Sequence, residues 1–241
     1  MIDRNYIKAQ FETSKIQGFT SPILCRLCFN IVDEALKVQY ESNYSTRCLQ
    51  SSFGIQKVLK SFGINSKPFR GSACFLQVFG NNPYQACWKG FWDKDHHVFL
   101  ITEFNEIVDL TIAQLHIHPN ETKSDIIPIN PIWWHPIDIS PKIFKYLPDV
   151  PIKEGLQGTE KEDFDKYLNI VDIKISKIYE KSLCSINFNN ILFGINNYEE
   201  IYNCKDSWVN LAERLISTGI ELPDWIKMKE LELIEKFKKK I

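Results

Sequence analysis

Apolar side chains recur at intervals of three and four residues in two segments near the start of the chain, which is the spacing of one helix face. The first of these segments follows Ser21 and Pro22, residues that suit the N-cap and the first turn of a helix. The second extends from about Cys48 to Phe62 and is followed by Gly63, which suits a left-handed C-terminal cap. The pattern therefore predicts two amphipathic helices, the second of which begins at a cysteine.

Beyond the second helix, the apolar positions follow the pattern typical of strands. We predict a strand from Lys67 to Phe79, with room for a kink at Gly71. A hairpin follows, with strands His97–Thr102 and Ile107–Ile112, because these residues are rich in β-branched and aromatic side chains. Residues 88–95 are interpreted as an irregular approach to this hairpin.

The rest of the chain divides into a proline-rich part and a helical part. Prolines are frequent from about residue 119 to residue 151, which predicts extended, irregular chain crossing the surface. Thr159 and Glu162 then form a capping-box pattern ahead of a long helix. Two more helices are predicted at 198–217 and after Pro223. The fold class is therefore α+β, with helices, a small antiparallel sheet and helices again.

Composition and charge narrow the class of protein. Of the 241 residues 44% are hydrophobic, which is enough for a sizeable core, and the formal net charge is −1. This charge does not favour nucleic acid or an anionic membrane as a partner. The first residues lack a signal-peptide pattern, and no apolar run approaches the ~20 residues of a membrane span. We expect a cytoplasmic protein, with signal-less export and the oligomeric state left open.

The cysteines and histidines do not follow a disulfide or metal-binding pattern. The seven cysteines are odd in number and no export signal is visible, which argues against a disulfide framework. Cys25 and Cys28 have the spacing of a metal pair, but they fall within the first predicted helix and are interpreted as buried. His116, His118 and His135 lack the spacing of a zinc site. We therefore predict no metal and no cofactor.

Cys48 is the strongest candidate for a catalytic side chain. A thiol is a good nucleophile only as the thiolate, and a helix N-terminus lowers the thiol pKa through its partial positive charge. An adjacent imidazolium lowers it further. His97 and Asp109, on the two strands of the predicted hairpin, could supply that imidazole and a carboxylate that orients it. This pattern indicates nucleophilic cysteine catalysis.

The geometry of the hairpin decides whether these groups can meet. A three-residue loop at 103–105 is favoured, because asparagine at its end tolerates the left-handed region. Phe99 then faces Asp109, and His97 faces Thr111. His97 and Asp109 become diagonal neighbours on one face of the sheet, within reach of each other. A two-residue loop would put them on opposite faces, so the prediction depends on an odd loop length.

Two parts of the candidate site stay open. His96 is the alternative to His97, and adjacent strand residues point to opposite faces, so only one of them can join Cys48. The sequence does not fix the donors for an oxyanion: the backbone N–H of Cys48 is one candidate, and the side-chain amides of Gln50 and Gln114 are weaker ones.

Trp133 and Trp134 allow two interpretations. An aromatic pair can line a substrate cleft, because concave sites are rich in aromatic side chains. It can equally belong to the core or to a packed loop.

Four short segments resemble the transglutaminase-like and papain-like superfamily of cysteine enzymes. They are Arg47–Ser52, which contains the cysteine, Val58–Ile64 at the end of the same helix, His97–Val98, and Val108–Gln114 with its aspartate-leucine-threonine run. The resemblance covers about residues 44–114. The superfamily includes peptidases, deamidases, peptide N-glycanases and arylamine acetyltransferases, so it leaves the reaction open.

The resemblance implies both a fold and an activity. It implies that residues 1–140 form a papain-like core, with the nucleophile helix packed on a small antiparallel sheet, and that residues 141–241 form a helical region packed on this core. It also implies a hydrolase or acyltransferase that acts on protein or peptide amides or thioesters, including glutamine side chains, through Cys48, His97 and Asp109. The alternative is an inactive member of the fold that binds a protein or peptide.

Overall fold

Helices and one antiparallel sheet make up the protein. The computed structural model describes residues 3–41, 44–81, 85–91, 97–117, 125–137, 139–153, 157–180, 191–194, 199, 202–203 and 208–238. The helices are α1 (Arg4–Gln17), α2 (Pro22–Tyr40), α3 (Cys48–Phe62), α4 (Gly158–Glu180), α5 (Trp208–Ser217) and α6 (Asp224–Lys238). The strands are β1 (Ser66–Val78), β2 (Ala86–Phe91), β3 (His97–Thr102), β4 (Ile107–Asp109), β5 (Ile132–Trp134) and β6 (Phe144–Pro151). The α+β class is therefore observed.

The helix that carries Cys48 begins and ends where the sequence predicts. α3 starts at Cys48 and ends at Phe62, and Gly63 caps it in the left-handed region at φ 91°. The N–H of Gly63 donates to the carbonyls of Leu59 and Lys60. α2 is also confirmed, because the Ser21 hydroxyl accepts from the N–H of Leu24 at 3.4 Å just before Pro22.

The long strand β1 organises the sheet by pairing along both of its edges. One edge pairs with β6. The other edge pairs first with β3, up to Gly71 opposite His97, and then with β2, from Ala73 opposite Phe91. A bulge between Arg70 and Gly71, in the pairing with β6, lies where the sequence leaves room for a kink. The histidine therefore begins β3 at the point where β1 changes partner.

The predicted hairpin loop of odd length is confirmed. Ile101 pairs with Ile107 in the β3–β4 ladder, and the N–H of Thr102 donates to the carbonyl of Glu106 at 3.1 Å. This leaves a loop of residues 103–105, in which Asn105 takes φ 58°, in the left-handed region. β4 is shorter than predicted, because the chain turns into a short 3₁₀ helix at Thr111–Ile117 instead of continuing to residue 112.

Two segments that the sequence analysis treats as irregular contain strands. Residues 88–91 belong to β2, which pairs with β1, so the irregular interpretation is wrong there, and residues 92–95 lie outside the described residues. The proline-rich stretch contains β5 and β6, so that interpretation is wrong as well. Pro148 and Pro151 are tolerated in β6 because β1 is its single partner among the described strands, and an edge strand has spare N–H positions.

Two apolar cores lie on the two faces of the sheet. One contains residues of α2, α3 and α4 together with Leu100 and Val108 of the hairpin. The other contains residues of α5 together with Phe99 and Ile107. β6 belongs to the same sheet, so the sheet extends across the predicted division at residue 140. Within the described part of the chain, no helix combines the length and the apolar character that crossing a membrane requires.

Candidate active site

Three side chains from three different elements meet at one point of the structure. Cys48 is the first residue of α3, His97 is the first of β3, and Asp109 is the last of β4. Nε2 of His97 lies 2.5 Å from Oδ2 of Asp109. The Cys48 thiol and the imidazole of His97 are joined by a side-chain hydrogen bond. His97 and Asp109 are each 2% exposed, whereas Cys48 is half-buried. The structure therefore brings together the three residues that the sequence singles out.

The imidazole of His97 uses its two nitrogens on two different partners. Nε2 contacts the carboxylate of Asp109. This leaves Nδ1 for the sulfur of Cys48, since a ring nitrogen cannot serve both partners. The assignment matters chemically, because a proton that moves between the thiol and the imidazole moves between Sγ and Nδ1 while Asp109 holds the opposite side of the ring.

Two contacts with Val98 fix the start of α3 against β3. The backbone N–H of Val98 hydrogen-bonds to the sulfur of Cys48. One helical turn further on, the hydroxyl of Ser52 donates to the carbonyl of Val98 at 3.2 Å. The N-cap residue Arg47 makes no side-chain capping bond, and its guanidinium lies 4.4 Å from the centre of the Tyr40 ring instead. The side chain of the N-cap residue Arg47 therefore does not cap the N–H groups in the first turn of α3.

The environment favours the charged form of Cys48. Burial by itself would raise the pKa of this thiol. The hydrogen bond and the positive charge of His97, together with the N–H of Val98, act in the opposite direction and prevail, so the pKa of Cys48 lies below its ordinary value. The buried thiols of Cys25 and Cys28 show the opposite shift, since burial raises their pKa well above the ordinary value. Cys48 is thereby distinguished from them by its chemistry.

Asp109 is a buried carboxylate with hydrogen bonds to both oxygens. Oδ2 accepts from His97 and from the hydroxyl of Tyr146, the latter at 2.8 Å. Oδ1 accepts from the hydroxyl of Thr111 and from the N–H of Ile112, both at 3.1 Å. Burial would raise the pKa of Asp109, but the charge and hydrogen bond of His97, helped by Tyr146 and Ile112, lower it. The carboxylate is therefore held ionised in a fixed orientation.

His97 is correspondingly held as an imidazolium. Burial acts to lower its pKa, but the charge of Asp109 and the hydrogen bond to it outweigh burial and raise the pKa to about 10. The ring of Phe91 stacks on the imidazole, with centroids 4.9 Å apart and planes 15° apart. A π-face next to a cation adds an electrostatic attraction. The surroundings of Cys48 and His97 thus favour a thiolate–imidazolium pair.

Three residues of this site are absent from the sequence prediction. Thr111 carries a detectable signal, because a hydroxyl two residues after an aspartate is placed for a local hydrogen bond. Phe91 and Tyr146 carry none, since both lie in segments that the sequence analysis treats as irregular and both reach the site through strand pairing.

The two glutamines that the sequence offers as oxyanion donors hydrogen-bond to tyrosine hydroxyls. The amide of Gln50 hydrogen-bonds to the hydroxyl of Tyr40. The amide of Gln114 donates to the hydroxyl of Tyr44 at 3.5 Å. These contacts do not bear on a role of the two glutamines as oxyanion donors, which stays a prediction.

Trp133 and Trp134 are each 2% exposed and lie in the two different cores. Trp133 packs against Phe29, with ring centroids 5.1 Å apart, and the indole N–H of Trp134 donates to the carbonyl of Ile139 at 2.6 Å. Trp134 lines a surface cavity of about 750 Å³ together with residues of α5, but Cys48 is not among the lining residues of that cavity. Both tryptophans are therefore packed in the cores, and their role in lining a substrate cleft stays a prediction.

The remaining histidines have ordinary surroundings where they are described. Nδ1 of His116 donates to the carbonyl of Ala113 at 2.9 Å, and His135 lies 5.8 Å from the ring of Phe19. His96 and His118 lie outside the described residues. Within the ranges that the structure describes, no group of three or more histidine, cysteine, aspartate or glutamate side chains could hold a metal ion.

Comparisons with known proteins add little to this geometry. No protein-family model matches the chain, and no curated protein matches it. One solved structure, a crystal structure described only as a genomics target, aligns with a TM-score of 0.37 at 9% identity, over 70% of this chain and 80% of that one. The functional argument therefore rests on the residues of the site.

Proposed function

We propose that the protein is a cysteine hydrolase or acyltransferase of the transglutaminase-like and papain-like type. The observation that carries the proposal is the continuous hydrogen-bonded chain from the Cys48 thiol through His97 to Asp109. A nucleophile at a helix N-terminus, a base in contact with it, and a carboxylate that orients the base are the three parts that thiol catalysis requires. The order of the elements supports the family assignment, because the cysteine helix precedes antiparallel strands that carry the histidine and then the aspartate.

The proposed reaction begins with attack by the Cys48 thiolate on the carbonyl carbon of an amide or thioester. A carbon–sulfur bond forms and the carbonyl oxygen becomes an oxyanion. The imidazolium of His97 then gives a proton to the departing amine or thiol as the carbon–nitrogen or carbon–sulfur bond of the substrate breaks. The resulting acyl-enzyme passes its acyl group to water, which gives hydrolysis, or to an amine, which gives transfer. In this second step His97 first accepts the proton of the acceptor and the thiolate is regenerated.

The N-terminus of α3 is the best candidate for stabilising the oxyanion. The first N–H groups of a helix have no partner within the helix, and the Arg47 side chain does not cap them here. They include the N–H of Cys48 itself, which is next to the attacking sulfur. Backbone donors held by a helix need no reorganisation during the reaction, which is the property an oxyanion site needs.

The substrates we propose are protein or peptide amides, including glutamine side chains. This choice comes from the family resemblance at Cys48, His97 and Asp109, and the geometry of the site fits any carbonyl that can reach the sulfur.

The pH dependence of iodoacetamide alkylation, followed for each cysteine by mass spectrometry, tests the proposal. Wild-type Cys48 should already react fast near pH 6–7, below the ordinary thiol pKa of roughly 8.5, because His97 stabilises its thiolate. Cys25 and Cys28 are buried internal controls in the same spectra and should not react in the folded protein.

Two variants sharpen this measurement. His97→Ala should remove the fast reaction of Cys48 at pH 6–7, whereas His116→Ala, which alters a histidine bonded to a local carbonyl, should leave it unchanged. An ordinary thiol profile for wild-type Cys48 would refute the thiolate–imidazolium pair and with it the proposed function. If the profile is shifted, incubation with aryl thioesters should leave an acyl group on Cys48 that Cys48→Ala cannot carry.

A further inference from the structure

We propose that Tyr146 is a positioning residue of the Cys48 site, acting by holding Asp109 against His97. This inference rests on the proposed function and adds a residue that neither the sequence motifs nor the family resemblance points to. Tyr146 lies in β6, 37 residues beyond Asp109, in a segment that the sequence analysis assigns to irregular surface chain.

The hydroxyl of Tyr146 binds the oxygen of Asp109 that also faces the histidine. It donates to Oδ2 at 2.8 Å, and Nε2 of His97 lies 2.5 Å from the same atom. The other oxygen of Asp109 is held by groups of its own turn, Thr111 and Ile112. Tyr146 is therefore the contact that ties the carboxylate to a distant part of the sheet. Without it, the half of the carboxylate that orients the imidazole is held by the imidazole alone among the described residues.

The residues of β1 that lie between Tyr146 and the site are small. Ala73 pairs with Tyr146 on one edge of β1 and with Phe91 on the other. Gly71, two residues earlier and on the same face, pairs with His97. Small side chains in β1 leave room above the strand for the larger side chains of its neighbours. Tyr146 of β6 and His97 of β3 therefore lie on the same face of the sheet, on either side of the small residues of β1.

Packing contacts hold the ring of Tyr146 in place, in addition to the hydrogen bond of its hydroxyl. It meets the edge of Phe99 at a centroid distance of 5.0 Å and that of Phe144 at 5.9 Å, and the residue is 6% exposed. Burial and the charge of Asp109 raise the pKa of Tyr146 well above its ordinary value, so the phenol keeps its proton and remains a donor. A rigid donor of fixed protonation state is what positioning a carboxylate requires.

The test is Tyr146→Phe, which removes the hydroxyl and keeps the ring contacts that support folding. We expect Cys48 alkylation at pH 6 to slow by about tenfold, the size of effect typical of losing a hydrogen bond to a charged group. The inflection of its pH profile should move up toward that of an ordinary thiol, because a less well-held imidazolium stabilises the thiolate less. With a thioester substrate, kcat should fall with little change in KM.

Tyr167→Phe is the matched control, because it removes another buried tyrosine hydroxyl, one without a hydrogen-bond partner among the described residues. It should leave the Cys48 profile at the wild-type position. Melting curves confirm that each variant is folded at the temperature of the assay. Site-specific 3-fluorotyrosine at position 146 keeps the hydroxyl and should restore the wild-type profile, which separates the hydroxyl from any general loosening of the sheet.

The outcomes distinguish this inference from the proposed function. A shifted Cys48 profile in wild type that moves in Tyr146→Phe supports both. A shifted profile that is identical in Tyr146→Phe overturns the positioning role and leaves the proposed function standing. An ordinary thiol profile in wild type overturns the proposed function, and the positioning role falls with it.

Discussion

His97 is the residue through which the whole site is connected. Its ring contacts Asp109 through Nε2, hydrogen-bonds to Cys48, and stacks on Phe91. Because both ring nitrogens are engaged, in the proposed reaction the proton for a leaving group would come from the nitrogen that faces the sulfur. Under that mechanism the imidazole would serve Cys48 first and the substrate second, from the same atom and without a flip of the ring.

The charge on His97 also predicts how stability depends on pH. The pKa of His97 is raised to about 10 in the folded protein, whereas an unfolded histidine titrates near about 6.5. The stabilisation from this group is therefore complete below about pH 6.5 and is lost as the pH rises toward 10. Asp109 acts in the opposite range, since its lowered pKa gives stabilisation above its ordinary value that is lost in acid.

We predict that His97→Gln costs several kcal/mol of unfolding free energy at pH 6 and less at pH 10, with a change on the order of 1–3 kcal/mol between the two. Urea unfolding of wild type and variant at both pH values measures this difference. Lys57 is half-exposed on α3 and pairs with Asp172, so Lys57→Gln is a surface control whose small effect should hardly depend on pH over this range. An equal cost of His97→Gln at pH 6 and pH 10 would contradict the raised pKa.

At the scale of elements, the position of the nucleophile helix depends on a close contact with α4. Gly54 lies in α3, and a Cβ added there would be 2.0 Å from the hydroxyl oxygen of Tyr167 in α4. The neighbouring pair Phe53 and Phe164 makes an edge-to-face contact at 5.4 Å. Glycine at position 54 therefore lets the two helices approach closely, and α4 supports α3 behind Cys48.

We predict that Gly54→Ala destabilises the protein, because the new methyl group overlaps the Tyr167 hydroxyl and one helix has to shift. Overpacking of this kind typically costs about 1–3 kcal/mol, which outweighs the gain in helix propensity from alanine. Thermal or urea unfolding measures the loss.

The double variant Gly54→Ala with Tyr167→Phe provides the control. Removing the hydroxyl removes the nearest atom, so the double variant should be more stable than Gly54→Ala alone, and a double-mutant cycle gives the coupling. Tyr167→Phe alone should be neutral or stabilising, because its buried hydroxyl has no hydrogen-bond partner within the described structure. If the changes in unfolding free energy of the two single variants were additive in the double variant, the contact with the Tyr167 hydroxyl would not be the cause of the destabilisation.

Local signals predict some of these elements and miss others for physical reasons. α3 and the β3–β4 hairpin are predictable because their caps, loop residue and apolar spacing are all local, and the parity of the loop then brings His97 and Asp109 together. β6 is missed because its prolines normally exclude a strand, and they are allowed here by an edge position that only the completed sheet defines. Tyr146 is missed with it, since its place beside Asp109 depends on pairing across β1.

At the scale of the whole molecule, the site is shared between parts of the chain that are distant in sequence. The indole N–H of Trp208, in α5, donates to the carbonyl of Leu76 in β1 at 2.7 Å, and Trp208 is buried against the face of the sheet that also carries Phe99. β6 pairs with β1 over residues 69–75. Elements beyond residue 140 thus complete the sheet and one of its two cores.

We therefore predict that the chain cut after residue 140 does not form a stable catalytic unit. It would lose β6, the core face of α5 and the Tyr146 contact to Asp109, and would expose the apolar side chains that these cover. Circular dichroism during urea titration should show no cooperative transition for this fragment and a cooperative one for the whole chain. A cooperative transition of the fragment, together with fast alkylation of its Cys48 at pH 6, would show that residues 1–140 are independent after all.

The alternation of side chains along β3 and β4 has an evolutionary consequence. Paired residues share a face of the sheet, and His97 and Asp109 lie an even number of residues from the pair Ile101 and Ile107, so both are on one side. A gene that gains or loses one codon inside the loop at 103–105 can keep this pairing and therefore the shared face. One codon gained or lost between His97 and Ile101, or between Ile107 and Asp109, would instead turn one of the two side chains to the opposite face in a single step. Among related chains under selection for the proposed chemistry, these two strand segments should therefore keep their lengths while the loop varies, whereas lineages without that selection are free of the rule.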